Sequence, residues 1–221
     1  MFDNKRALLL AISHELRSPL TRVRLNAELL PEEAGTLMTR DALLRDLAQM
    51  RDLISDLLES ERLSGTHVVL NLEAIDLGLL VQAVIAADSD FAQVRQQLQV
   101  GLPMVSGDNV RLRLALRNLL DNAVRHGGGV EPPLVSLTLE GALLKLVERD
   151  FGPGVHEVQL GRLAEPFYRT DEARQRSTGG VGLGLYLSRL VAQAQGGSLH
   201  FENTQPGLQA VLLLPISGAA C

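Results

Sequence analysis

Four clusters in this sequence could do chemistry, and the first is His14-Glu15 within "AISHELRSPLTRVRL". Imidazole titrates near pH 6.5, so its neutral, nucleophilic form dominates at pH 7. A neighbouring carboxylate can take the ring proton or hold one tautomer. Ser18 lies one helical turn on, where a hydroxyl could position a water. Taken alone, the pair could equally be a solvated couple on an ordinary helix. The second cluster is "RNLLDNAVRHG", in which Asn118 and Asn122 share a helix face with Arg125 close by. Amide oxygens suit a hard cation such as Mg2+, a guanidinium suits phosphate, and His126 could stack on a base.

The third cluster, "ERDFGPGV", ends a strand at Asp150 and turns through Gly152 and Gly154 around Pro153. Such a turn lets backbone approach a flat ligand, and the Asp150 carboxylate could accept a hydrogen bond from an amino group such as that of adenine. The fourth, "STGGVGLGLYLSR", opens a helix with Gly179, Gly180, Gly182 and Gly184. Free N–H groups and the positive helix end make an anion site. The segment between, "EPFYRTDEARQRS", is polar and basic with an apolar anchor in Phe167 and Tyr168. It reads as a lid over phosphates or as a plain surface loop.

Two tempting motifs fail on context. "DFG" lacks the glycine-rich loop, lysine-bearing strand and His-Arg-Asp loop of a protein kinase of the serine/threonine/tyrosine type. The spacing Gly180-x-Gly182-x-Gly184 is not G-x-G-x-x-G and lies in no 30-residue strand-helix-strand unit, so it is no dinucleotide fingerprint.

These residues need elements to carry them. Apolar residues at Leu9, Ile12, Leu16, Leu20, Val23, Ala27 and Leu30 recur at helical spacing, as do Leu43, Leu47, Met50, Ile54 and Leu57. Pro31 and Gly35 break the pattern between them. Two helices joined by a short turn form an antiparallel hairpin, and each stripe is too narrow for a core of its own. Pairing two hairpins into a four-helix bundle, hence a dimer, solves this. His14 points about 160° away from Ile12 and Leu16, out of the stripe. Pro19 sits where a helix interior would lose a hydrogen bond, and a bend there is expected.

Beyond "LSGTH" the texture changes. "VVLNLEAID" reads as a strand, with Asp76 capping the helix "LGLLVQAVIAA". "LQVGLPM" is a short strand candidate, and "NVRLRLALRNLLDNAVRHG" a helix stopped by glycine. "LVSLTLE" and "ALLKLVERD" make a hairpin around Gly141. "VGLGLYLSRLVAQAQGG" is a helix, and "SLHFEN" with "LQAVLLLPI" a last hairpin. Strands mixed with two or three helices give an α/β sandwich.

The bulk numbers agree with a folded, acidic protein. The chain has 221 residues, 46% hydrophobic, with no Trp and a net charge of −5, so Leu, Val and Ala must fill the cores. An acidic chain disfavours general nucleic-acid binding. One cysteine, Cys221, allows no disulfide framework and fits a reducing compartment. No apolar run reaches the roughly 18 residues of a membrane span.

Together and in this order, the clusters closely resemble the catalytic core of a bacterial two-component sensor histidine kinase. "SHELRSPLT" resembles the phosphoacceptor box, "NLLDNAVRH" the N box, "DFGPG" the first glycine box, "EPFYRTD" the F box and "GGVGLGLYLSR" the second glycine box. The resemblance implies an α+β, multidomain chain. Residues 1–63 would form the dimerisation and phosphotransfer hairpin, 64–67 a hinge, and 68–217 an ATP-binding α/β sandwich of the GHKL (Bergerat) type.

It also implies roles. His14 would be phosphorylated by ATP, Glu15 would be its acid-base partner, and Ser18 would support dephosphorylation of a response regulator. Asn122 would hold Mg2+, with Asn118, Arg125 and His126 at the nucleotide. Asp150 would read the adenine amino group, and Gly152 and Gly154 would shape the pocket. Phe167, Arg169, Gly180, Val181, Gly182, Leu183 and Gly184 would border the phosphates. The partners implied are a second copy and a response-regulator receiver domain, in the cytoplasmic portion of an inner-membrane receptor whose sensor region lies upstream. Phe151, Arg125, His126 and Ser18 depart from the commoner residues at their positions. The rival readings are a GHKL-type ATPase and a phosphatase-only or scaffold relay.

Overall fold

The computed structural model describes residues 20–25, 27–28, 37–65, 68–128, 131–170 and 182–216. The chain divides into two compact units, Met1–Gly65 and Thr66–Cys221.

In the first unit, residues 20–25 and 27–28 are helical, and helix α1 spans Leu37–Leu63. The α1 sequence contains no glycine or proline and is rich in Leu and Arg, both good helix formers. Ser64 closes its last turn, donating from both N–H and hydroxyl to the Ser60 carbonyl. Leu47 and Ala27 are buried, but Leu43 and Met50 remain 37% and 51% exposed. One chain therefore covers its apolar stripe only in part.

The second unit is built of β1 (Leu72–Ile75), α2 (Leu77–Ala86), β2 (Arg95–Leu98), β3 (Val105–Asp108), α3 (Asn109–His126), β4 (Leu134–Glu140), β5 (Leu143–Arg149), α4 (Glu157–Leu160), α5 (Gly184–Ala194), β6 (Ser198–Asn203) and β7 (Leu208–Pro215). Five strands form one mixed sheet in the order β2-β4-β5-β7-β6, with β2 parallel to β4 and the other pairs antiparallel. β1 and β3 form a separate antiparallel pair.

Alternation along β5 buries Leu144, Leu146 and Glu148 on one face of the sheet. Val135, Leu137, Ala210 and Leu212 stand in register beside them. The apolar face of α3 (Leu112, Ala115, Leu116, Leu119, Leu120, Ala123) and that of α5 (Leu187, Val191, Ala192) complete this core. Fully burying one such Leu contributes about 1.5–3 kcal/mol.

Side chains fix the helix starts. Asp76 accepts from Leu79 N–H at 3.0 Å to cap α2. Asp108 caps α3 from Arg111 N–H at 3.2 Å, and its second oxygen accepts from Asn71 N–H at 3.1 Å.

The α/β sandwich, the hairpin turning at Gly141 and the final hairpin match the expected order. One expected strand does not form. "LQVGLPM" is interrupted because Gly101 adopts φ +73° in a turn, and an extended strand cannot cross it. The strands lie on either side, as β2 and β3. The helix expected from residue 181 begins at Gly184.

Candidate active site

Asp150 follows the last residue of β5 and is buried at 5% exposure. Its N–H donates to the Leu208 carbonyl at 2.9 Å. Its Oδ1 accepts from Gly152 N–H at 2.9 Å and from Leu208 N–H at 3.1 Å. Its Oδ2 makes no hydrogen bond among the described residues. One oxygen is thus pinned by two charge-assisted bonds while the other stays open as an acceptor.

Close backbone approach makes this cradle possible. A Cβ on Gly152 would collide with the Gly127 carbonyl, and one on Gly207, at φ +105°, with the Asp150 carbonyl. The glycine turn therefore sits directly against the end of α3 on one side and the start of β7 on the other.

Among the described residues no side chain caps the N-terminus of α5, which leaves its first N–H groups for an anion. Asn118 Nδ2 donates to the Gly184 carbonyl at 3.2 Å, joining α3 to that helix start. Ser188 Oγ reinforces the joint, donating to Gly184 O at 3.0 Å and Ala115 O at 3.3 Å. Asn122 lies one turn along α3, half-buried, and its amide has no partner among the described residues. Its carbonyl oxygen can therefore serve a hard cation.

Arg125 Nη2 meets Asp121 Oδ2 at 3.3 Å on the exposed side of the same helix. Burial raises the Asp121 carboxyl, and Arg125 and Arg117 oppose that rise. His126 ends the helix half-buried.

Phe167 N–H donates to the Gly182 carbonyl at 3.0 Å, tying the F box to the second glycine box. Phe167 pays for this contact with φ +63°, a left-handed conformation costing about 1–2 kcal/mol in a residue with a Cβ. Gly182, at φ +83°, has no room for a Cβ against the Tyr168 carbonyl. Leu183 is buried, and Arg169 lies beside Gly182. The Arg95 and Arg149 guanidinia both lie over the Phe151 ring, 5.0 and 4.5 Å from its centroid. It also lines a separate groove of about 370 Å³ with Gly127, Pro132 and Pro133, to which Asp150 and the two asparagines do not contribute.

The structure therefore brings Asn118 to Gly184, Asp150 to Gly152, and Phe167 to Gly182. His14, Glu15, Ser18, Gly180 and Val181 lie outside the described residues. Sequence reasoning missed four participants: Gly127, Asn203, Gly207 and Leu208. Only the turn-like "NTQPG", residues 203–207, hinted at Asn203 and Gly207.

It also missed Glu148, two residues before Asp150 on the same face and 3% exposed. Its Oε1 is buried without a hydrogen-bond partner among the described residues. It borders a small void among Val81, Leu116, Leu119, Leu120, Val135 and Leu146. Burial pushes this carboxyl well above the usual carboxylate range, and the Asp150 charge adds to the rise.

Comparison with known families places this geometry. Residues 4–66 match the His Kinase A (phospho-acceptor) domain, and residues 107–218 the histidine kinase-, DNA gyrase B- and HSP90-like ATPase family. The chain belongs to the sensor histidine kinases. It is a sensor histidine kinase catalytic core, with a helical phosphoacceptor region followed by an α/β sandwich of the ATPase family.

Among its relatives, the sensor protein RstB of Escherichia coli K12 is 34% identical over 94% of this chain and 48% of its own length. The bacteriophytochrome of Pseudomonas aeruginosa is 32% identical over 98% of this chain and 30% of its own. This kinase core thus spans half or less of the length of these relatives. Among solved structures, full-length ShkA in complex with AMPPNP superposes with a TM-score of 0.81 at 27% identity, covering 97% of this chain and 47% of that one. The histidine kinase AdeS of Acinetobacter baumannii shares the fold at a TM-score of 0.65 and 22% identity, over 93% of this chain and 98% of that one. Among the described residues of the kinase core, no helix is long and apolar enough to cross a membrane.

Proposed function

We propose that the chain transfers the γ-phosphoryl group of ATP to His14 and then to an aspartate of a response regulator. The observation that carries this reading is Asp150, with one oxygen fixed by Gly152 and Leu208 and the other open to an exocyclic amino group. The match of residues 4–66 to a phospho-acceptor domain, which includes His14, supports the choice of acceptor.

Asp150 accepts from the adenine amino group. Gly152 and Gly154 let the turn lie flat against the base. The N-terminus of α5, with Gly182, Leu183 and Gly184, receives phosphate oxygens, with Arg169 and Phe167 at its rim, and Gly180 and Val181 would border the same phosphates. Asn118 holds the helix start, and Arg125 and His126 flank the nucleotide. Asn122 would hold Mg2+, which supplies neutralisation of phosphate charge. The lone pair of a neutral His14 nitrogen attacks the γ-phosphorus. The bond to the β-phosphate oxygen breaks, ADP departs, and Glu15 takes the proton from the other ring nitrogen. Rate enhancement comes from positioning and charge neutralisation.

Residues 1–63 would form the dimerising hairpin, 64–67 the hinge and 68–217 the ATP-binding domain. The part-exposed stripe at Leu43 and Met50 supports pairing with a second copy. Ser18 would orient a water for dephosphorylating the regulator. The natural setting would be the cytoplasmic side of an inner-membrane receptor.

The test is incubation with Mg2+ and γ-labelled ATP, comparing the chain with His14→Gln. An acid-labile, base-stable label that the substitution removes is the expected result. ATP binding without label would favour a phosphatase-only or scaffold relay. Hydrolysis that survives His14→Gln would favour an ATPase.

A further inference from the structure

The β6–β7 connection grips the glycine turn at both of its ends. Asn203, the last residue of β6, donates from Nδ2 to the Val155 carbonyl at 2.7 Å. Its Oδ1 accepts from Val155 N–H at 3.0 Å. A side-chain amide here completes both hydrogen bonds of one backbone residue, as a neighbouring strand would. Gly154 lies under this contact: at φ +72°, a Cβ on it would stand 2.9 Å from Asn203 Oδ1 and 3.1 Å from Gly207 O. At the other end of the turn, Leu208 N–H holds Asp150 Oδ1 and Leu208 O receives Asp150 N–H. The connection is braced internally by Thr204 N–H on Gly207 O at 2.7 Å and by Thr204 Oγ1 on Pro206 O at 2.9 Å.

We propose that Asn203 is a positioning residue for base recognition: by pairing with Val155 it fixes the turn at residues 150–155 and so aims the free Asp150 oxygen at the amino group of the purine. This rests on the nucleotide-binding reading above. Asn203 is itself exposed, so its bonds contribute to the shape of the turn rather than to the burial of apolar surface. Without them the Gly152-Pro153-Gly154 turn keeps its anchor at Asp150 and loses the one at Val155. Glycine then permits many backbone conformations, and the base plane loses its fixed wall. Discrimination between a purine bearing an amino group at its six position and one bearing a carbonyl suffers most, because it depends on where Oδ2 points.

The experiment measures ATP and GTP dissociation constants by calorimetry on the full chain for wild type, Asn203→Ala, Asn203→Asp and Thr204→Ala, with melting temperatures taken without nucleotide. Asn203→Asp keeps the acceptor for Val155 N–H but sets a carboxylate oxygen against the Val155 carbonyl. The expected result is roughly tenfold weaker ATP binding in both Asn203 variants, the size of one to two lost net hydrogen bonds. GTP binding should change less, so the ATP:GTP preference falls. Thr204→Ala should stay within about twofold of wild type on the same scale. Unchanged ATP affinity and preference in both Asn203 variants would overturn the proposal. So would equal weakening of both nucleotides in step with a lower melting temperature, since that marks a merely structural residue. Failure of the wild type to bind ATP would instead sink the nucleotide-binding reading itself.

Discussion

Replacing Glu148 by methionine should stabilise the protein, and increasingly so as pH rises. The carboxyl lies at the centre of an apolar row, flanked in register by Val135 and Ala210. Its Oε1 finds no partner among the described residues. A buried polar group left unsatisfied costs about 1–3 kcal/mol, and an ionised one costs more. Methionine has nearly the same length and shape, so little new cavity opens. The void beside Glu148, about 10 Å³, holds at most one water. A gain of about 2 kcal/mol raises the melting temperature of a unit this size by roughly 4–8 °C.

The pH dependence follows from the direction of the shift. Burial first, and then the Asp150 charge, raise the folded-state pKa above the unfolded value. The folded state therefore holds the proton more tightly, and the associated stability is complete below the unfolded pKa and lost as pH rises through the folded one. Thermal unfolding at pH 5.5 and pH 8.5 should show the gap between Glu148→Met and wild type widening at the higher pH. A variant that melts at or below wild type at both pH values, or a gap independent of pH, would refute the reasoning by showing that the carboxyl is satisfied.

Three further outcomes are expected. Asp150→Asn keeps an acceptor for Gly152 and Leu208 but points an NH2 donor at the base amino group; ATP affinity should fall about 10- to 100-fold, as read by calorimetry, and an unchanged dissociation constant would count against the adenine contact. Gly152→Ala drives a methyl group into the Gly127 carbonyl and should lower stability by about 1–3 kcal/mol in urea titration, whereas an unmoved midpoint would show that the turn is slack. Asp56 in α1 is raised to about 6 by burial and by Asp52, so its ionisation weakens the helical unit as pH climbs from about 4 through 6. Asp56→Asn should remove that decline in circular-dichroism melts at pH 7 and change little at pH 4.

Much of this was legible in the sequence, because period and punctuation were strong. The stripe from Leu112 to Ala123 and the alternation around Gly141 are local signals. So is the capping carboxylate at Asp76, and the structure returns all three. The glycine turn at Asp150 was legible for a similar reason, since only glycine tolerates such close backbone. β3 was not, because "VSGD" is written in turn residues and is held extended by pairing with β1. Glu148 was missed for the opposite reason. A charged residue in "KLVERD" suggests solvent, yet its place in the Leu144, Leu146, Glu148, Asp150 alternation assigns it to the core. The Asn203 clamp joins residues 48 positions apart, and no local pattern reports such a contact.

The strand order has a consequence for folding. β7 is the last strand among the described residues, yet it lies between β5 and β6 inside the sheet. Leu208, which holds Asp150, is its first residue. Until β7 is in place, β5 has no partner on that side and Asp150 lacks two of its three hydrogen bonds, the carboxylate's bond from Leu208 N–H among them. Nucleotide can therefore stabilise only a chain in which β7 has inserted. A chain without an inserted β7 gains nothing from added ATP, so nucleotide-assisted folding would separate molecules that hold β7 in the sheet from those that do not.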